Sequence, residues 1–237
     1  MSEDKLDLIT KLLAKAESTT PEEAEALTEH AERLMVKYGI EQARLDERRA
    51  QAGGVREEIV QERMLFAGAY ARDIRELGAG IAVALDSIQP MYGANTAGVV
   101  LYLVGFASDV KQARILTASL EAQAMIAMRD WWKRERELYW RLPEREKRRA
   151  RSGFIRGFGI GASERIKESR VVIIEESAVG TELVLASRRD KVDDFVDSIA
   201  TGKARQRQGV NASAFMQGRQ SGREASTGGR AVDARVS

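Results

Sequence analysis

The apolar positions fall first into two helical stripes. Leu6, Ile9, Leu12, Leu13 and Ala16 recur at three- and four-residue spacing, which predicts a helix from about Asp4 to Glu17. A second stripe, Ala24, Leu27, Ala31, Leu34 and Met35, follows the segment Ser-Thr-Thr-Pro-Glu-Glu. There Thr20 reads as an N-cap, Pro21 as the first helical residue and Glu23 as the far side of a T-x-x-E capping box. Gly39 after Tyr38 stands where a left-handed helix stop is expected, with Ile40 as the apolar contact beyond it. The two helices form a hairpin that has to bury its stripes against itself or the rest of the chain.

After that hairpin the pattern changes. Glu41 to Ala50 is polar and helical in character, and Gly53-Gly54 marks a linker. Glu58 to Phe66 fits either a strand or a helix. Tyr70, Ile74, Leu77, Ile81 and Leu85 predict a helix over Gly68 to Asp86 despite two internal glycines. The stretch IQPMYGANTAGVVLYLVGF has the form strand, turn, strand, and Val99 to Phe106 is continuously apolar, as a buried strand is. Ser108 then reads as the cap of a long helix through Val110, Leu116, Leu120 and Met128, which Pro143 interrupts, and another helix starts near Glu144. Val171 to Glu176 fits either an extension of that helix or a strand, and Ile166 and Ser169, which continue the stripe, favour the helix; TELVLA (Thr181 to Ala186) reads as a last strand, and Asp190 to Ile199 as a last helix.

These elements predict a mainly helical α+β protein: an N-terminal helical hairpin, then helices covering a small sheet made of a β-hairpin and a later strand. The division is a helical module over residues 1–50, an α+β domain over 55–200 and a flexible Gly/Ser/Arg-rich tail over 201–237. Most of that tail has little to bury and is expected to be disordered. Ala214, Gly218 and Gly222 nonetheless share one face of a potential short helix.

Charge adds a second layer, because a net +2 conceals segregation. The balance is −4 over residues 1–50, −2 over 51–128, +7 over Arg129 to Arg170, −4 over 171–199 and +5 over the remainder. The 43% hydrophobic residues describe a globular chain, and no apolar run approaches a membrane span. With no cysteine, disulfides, thiolate nucleophiles and cysteine-bound metal are excluded, and a cytoplasmic setting is expected. A single histidine, His30, leaves no zinc-protease motif, and its place in a polar-apolar helical repeat reads as helix surface.

The stretch KLLAKAESTTPEEAEALTEHAERLMVKYGI, Lys11 to Ile40, resembles the N-terminal module of domain-of-unknown-function family 2786. There a K-L-L-A-x-A run precedes P-E-E-A and A-x-x-L-M-x-K-Y-G. LVGFASDVKQARILTASLEAQA, RSGFIRGFGIGASERI and TELVL are similar to the companion domain, family 7168. The resemblance implies bacterial or phage occurrence and carries over no catalytic residue.

Three motifs bear on chemistry. Gly157, Gly159 and Ala162 have the G-x-G-x-x-A spacing of a dinucleotide-binding turn, but the Arg-rich residues before Gly157 are no buried strand. Gly153, Gly157 and Gly161 lie four residues apart, which predicts a helix face that another backbone approaches closely. Asp86 with Asp109-Val110-Lys111 imitates the carboxylate and D-x-K pattern of metal-dependent nucleases, which would require Asp109 on a strand. Because Ser108 reads as a helix cap, Asp109 reads instead as an acid in the first turn of a helix.

The third motif is RDWWKRERELYWRLPEREKRRARSGFIR, where every tryptophan of the chain meets the densest arginine cluster. Arginine forks bind phosphate and aromatic faces stack on unpaired bases. The expected nucleic-acid-binding residues are Arg134, Arg136, Arg148, Arg149 and Arg151, with Trp131 or Trp132 as stacking groups. Against this, Glu135, Glu137, Glu144 and Glu146 can pair with those arginines, and the tryptophans can be core. The leading expectation is a non-enzymatic accessory protein that binds DNA or RNA, without catalytic residues, metal or cofactor. A protein-interaction module acting on a host or replication protein is the alternative, and a nuclease the third.

Overall fold

The computed structural model describes residues 2–16, 19, 21–93, 98–199 and 211–224. Helices α1 (Ser2–Ala16) and α2 (Pro21–Gln51) form the expected hairpin, with Ile9, Leu13, Ala31 and Met35 buried. The proposed cap Thr20 lies outside the described residues, but Pro21 does open the second helix.

Gly39 is not a stop. The helix runs through it, because the glycine makes room for the Gln112 side chain, whose Nε2 donates to the Met35 carbonyl at 2.7 Å. A Cβ at position 39 would collide with that amide. The true terminus is fourteen residues on, where Gly53 adopts φ 79°. Gly53 N–H reaches Ala50 O at 3.0 Å and Gly54 N–H reaches Arg49 O at 2.9 Å, the paired bonds of a Schellman motif.

The sheet has three antiparallel strands, β1 (Ile59–Phe66), β2 (Ile88–Gly93) and β3 (Val99–Phe106), in the order β1-β3-β2. Ile59 pairs with Phe106 and Phe66 with Val99, while Ile88 pairs with Gly105 and Gly93 with Val100. β3 is central, which is why it is apolar along its whole length. Leu101 and Leu103 join the main core with helices α3 (Ala71–Leu85) and α4 (Ala107–Glu135). Val104 and Phe106 face the opposite side, where Val192 and Val196 of helix α6 (Thr181–Asp197) cover them.

Two expectations are corrected here. Thr181 to Ala186 is the start of α6 and not a strand, so the third strand comes earlier in the chain, at β1. The window TELVLA is too short to reveal its period; Thr181, Leu185, Arg188 and Val192 are buried at spacings of 4, 3 and 4, a helical face. Ser108 is not the cap of α4 but lies inside it. The Glu57 carboxylate takes the capping role from a distance, accepting from Ser108 N–H at 2.5 Å and from its hydroxyl at 2.9 Å.

Helix α5 (Glu144–Glu175) absorbs Val171 to Glu175 as expected and carries the glycine repeat at its centre. Within the expected tail, residues 212–224 form helix α7 (Ala212–Glu224), whose buried residues are Ala214, Gly218 and Gly222. Asn211 caps it, its Oδ1 accepting from Ala214 N–H at 3.0 Å. The disorder expected for the rest of the tail falls outside the described residues.

The glycines of α5 and α7 face one another. Gly153, Gly157 and Gly161 meet residues 211–215, 215–219 and 219–223 in turn, so the two helices run parallel and backbone touches backbone. Arg219 and Arg223 lock the pair by ion pairs to Glu164 at 2.8 Å, and Arg165 donates to Gly222 O at 2.8 Å. The G-x-G-x-x-A spacing therefore belongs to a packed helix, and no strand leads into it. NAD or ATP at millimolar concentration should leave the melting temperature unchanged; a rise of several degrees would mean that the glycines hold a phosphate.

Candidate nucleic-acid interface

The Arg/Trp-rich segment forms one tip of the molecule: the end of α4, a 3-10 turn (Arg136–Tyr139), a short connection through Pro143 and the first turns of α5. Its base is rigid and aromatic. Trp131 continues the buried α4 stripe of Leu120, Ala124 and Met128, so only 2% of its surface remains exposed. Its ring stacks on Phe154 with centroids 4.9 Å apart, meets Tyr139 edge-on at 6.0 Å, and donates Nε1–H to Gln217 Oε1 of α7 at 2.5 Å. Trp131 is thus a core residue and has no free face for a base.

Trp132 is half-buried, packed on Tyr139 at 5.4 Å, with the Arg151 guanidinium 4.8 Å from its ring centroid. Arg151 is further held by Glu144 at 2.6 Å. Of the other named arginines, Arg148 donates to the Ala69 carbonyl at 2.9 Å and Arg149 lies 3.9 Å from Glu146. Both remain exposed. Arg134 and Arg136 are exposed and have no ion pair among the described residues. The same holds for Arg129 and Arg145.

The tryptophan that does face solvent is Trp140, which was not among the expected stacking groups. It is 67% exposed, with the Arg141 guanidinium 4.7 Å from its ring centroid, and Leu138 and Leu142 beside it in sequence are also exposed. The signal was present in the sequence: Trp140 lies nine residues after Trp131, half a helical turn out of phase with the apolar stripe, and just before the proline. The tip gathers the named arginines on one structural unit but divides the tryptophans between core and surface.

The nuclease-like residues are arranged differently from the motif. Asp109 sits in the first turn of α4, buried, and shares Arg188 with Asp46 and Glu57. The Arg188 guanidinium lies 3.0 Å from Asp109, 3.1 Å from Asp46 and 3.1 Å from Glu57, and 3.7 Å above the Phe106 ring. Burial pushes the Asp109 carboxyl above its ordinary range, against the opposing pull of Arg188 and a hydrogen bond from Ser87. Asp86 ends α3 in a left-handed conformation, φ 65°, and pairs with Arg189 at 3.1 Å and Arg170 at 3.7 Å. Lys111 is exposed on α4. Among the described residues no three acidic or histidine side chains are placed to hold a metal ion.

Residues 5–42, which take in most of α1 and the first two-thirds of α2, match a family model described as a protein of unknown function, DUF2786. No curated protein and no solved structure matches the chain. Among the described residues no helix is long and apolar enough to cross a membrane.

Proposed function

We propose that this chain is a non-enzymatic accessory protein, of bacterial or phage origin and cytoplasmic, that binds nucleic acid through the tip between α4 and α5. The observation that carries it is the clustering of exposed arginines, Arg129, Arg134, Arg136, Arg145, Arg148 and Arg149, around one short connection. A polynucleotide meeting this surface releases counterions, the dominant source of such affinity. The likeness of the α4 and α5 sequences to family 7168 belongs to the same proposal. Exposed Leu138, Trp140 and Leu142 support a second reading, in which the tip contacts a host or replication protein.

Salt dependence separates the two. Anisotropy titrations of a labelled DNA duplex and a DNA single strand across a salt series should give a steep fall in affinity. Arg134→Ala with Arg136→Ala should flatten the slope by about 1.4 to 1.8 units, since each phosphate contact contributes about 0.7 to 0.9. Arg151→Ala should change it less, because Glu144 already neutralises that side chain. The control for the basic tail is truncation after Glu224 combined with Lys203→Gln, Arg205→Gln and Arg207→Gln, which removes most of its positive charge and spares α7. Absence of salt-sensitive binding to DNA and RNA alike would leave the protein-contact reading in its place.

A further inference from the structure

We infer that Trp140, backed by Arg141, is a stacking platform, so that the tip takes single-stranded nucleic acid in preference to duplex. The inference rests on the nucleic-acid reading above and names its substrate class. Tryptophan is on average a highly buried residue, and the other two of this chain are packed into the aromatic cluster. Trp140 departs from both with two-thirds of its surface in solvent, in the connection between α4 and α5, among exposed arginines.

The ring is also prepared for a base. Arg141 lies over it at 4.7 Å, a cation–π contact that holds the indole in place and leaves an extended, polarised aromatic surface. Its backbone is tied into the turn, with Trp140 N–H on Glu137 O at 3.4 Å and Leu142 N–H on Tyr139 O at 3.0 Å, and the turn's Tyr139 packs on Trp131 and Trp132. A pre-ordered ring loses little freedom on binding. Arg134 and Arg136 precede it in the chain and Arg145, Arg148 and Arg149 follow it, all exposed, so the segment that carries the indole also carries positive charge for the phosphates of a bound strand. In a duplex each base face is already occupied by its neighbours. Only an unpaired base offers a face to a single protruding indole.

The test uses the full-length protein, a labelled oligothymidylate, and a mixed-sequence duplex of equal length. Wild type should bind the single strand more tightly, and binding should quench the tryptophan fluorescence contributed by Trp140. Trp140→Ala should weaken the single-strand complex about 5- to 150-fold, the range that stacking of one base gives. It should leave duplex affinity, the salt slope and the melting temperature unchanged, while Trp140→Phe retains most of the affinity. Equal loss on both nucleic acids, no loss on the single strand, or a wild-type preference for duplex would each overturn the platform while the basic-surface reading survives. Absence of salt-sensitive binding to either probe would overturn both. If binding persists and instead follows Arg134 and Arg136 alone, Trp140 is a contact for another protein and the inference fails.

Discussion

Arg188→Met should destabilise the fold by about 3 to 5 kcal/mol, the usual cost of removing one member of a buried ionic group. Among the described residues Arg188 is the cation paired with all three of Asp46 of α2, Glu57 of the segment before β1 and Asp109 of α4, and its side chain is 3% exposed. Methionine fills a similar volume against Phe106, so lost packing contributes little and the effect isolates charge. The N-terminal hairpin should loosen first, since Asp46 is one of its ties to α6. Urea denaturation would measure the loss, and a change below about 1 kcal/mol would mean that the carboxylates find other partners.

The deficit should shrink as the solution is made more acid. In the folded protein burial already raises the Asp109 carboxyl, and Arg188 is the largest influence that lowers it. Removing the guanidinium raises it further. A carboxyl titrating higher in the fold than in the unfolded chain favours the fold when protonated; its contribution is present below the unfolded range and lost as pH rises through the folded one. Arg188→Met should therefore approach wild type as pH falls from 8 toward 5. Asp109→Asn, which needs no charge in the interior, should cost less than Arg188→Met throughout.

Why the sequence revealed some of this and concealed the rest follows from the range of the interactions involved. α1, the α3 stripe and the β2–β3 hairpin were legible because local spacing alone determines which face is apolar. Gly39 misled, because a glycine that admits a side chain from α4 looks the same in sequence as one that ends a helix. TELVLA misled for a similar reason: six residues of strand-like composition are overruled when the period continues through Arg188 and Val192. The arginine block was legible as a charge cluster. The α4 stripe also separated Trp131 from Trp140, but the partners that bury Trp131 were hidden, since Phe154 and Gln217 lie more than twenty and eighty residues away.

Gly157→Ala should destabilise the protein and release α7, although alanine is the better helix former by about 1 kcal/mol. At that position a Cβ would strike the Phe215 carbonyl and stand 2.7 Å from Arg219 N, both backbone atoms of α7 that cannot rotate aside. Gly161, Gly218 and Gly222 are in the same position, each with a backbone atom of the opposite helix at 2.7 Å. Gly153 is different. Its nearest neighbour, Asn211 O, is 3.2 Å from the added Cβ, so a shift of a few tenths of an ångström suffices and the helix-propensity gain offsets the strain. The series should therefore split: Gly153→Ala near neutral, and the other four each destabilising by about 1 to 3 kcal/mol, the range for overpacking. Leucine at position 157 should reach the upper end. Because the parallel register sets Gly157 on the Phe215 and Arg219 backbone and Gly218 on that of Phe154, separating the helices also breaks the Arg219 and Arg223 pairs with Glu164 and the Trp131 bond to Gln217. Amide exchange in residues 212–224 should accelerate in these variants more than exchange in β3, the mark of local detachment before global unfolding. If alanine at positions 157 and 222 instead stabilises by the amount expected of an exposed helix glycine, α7 does not sit on α5 in solution.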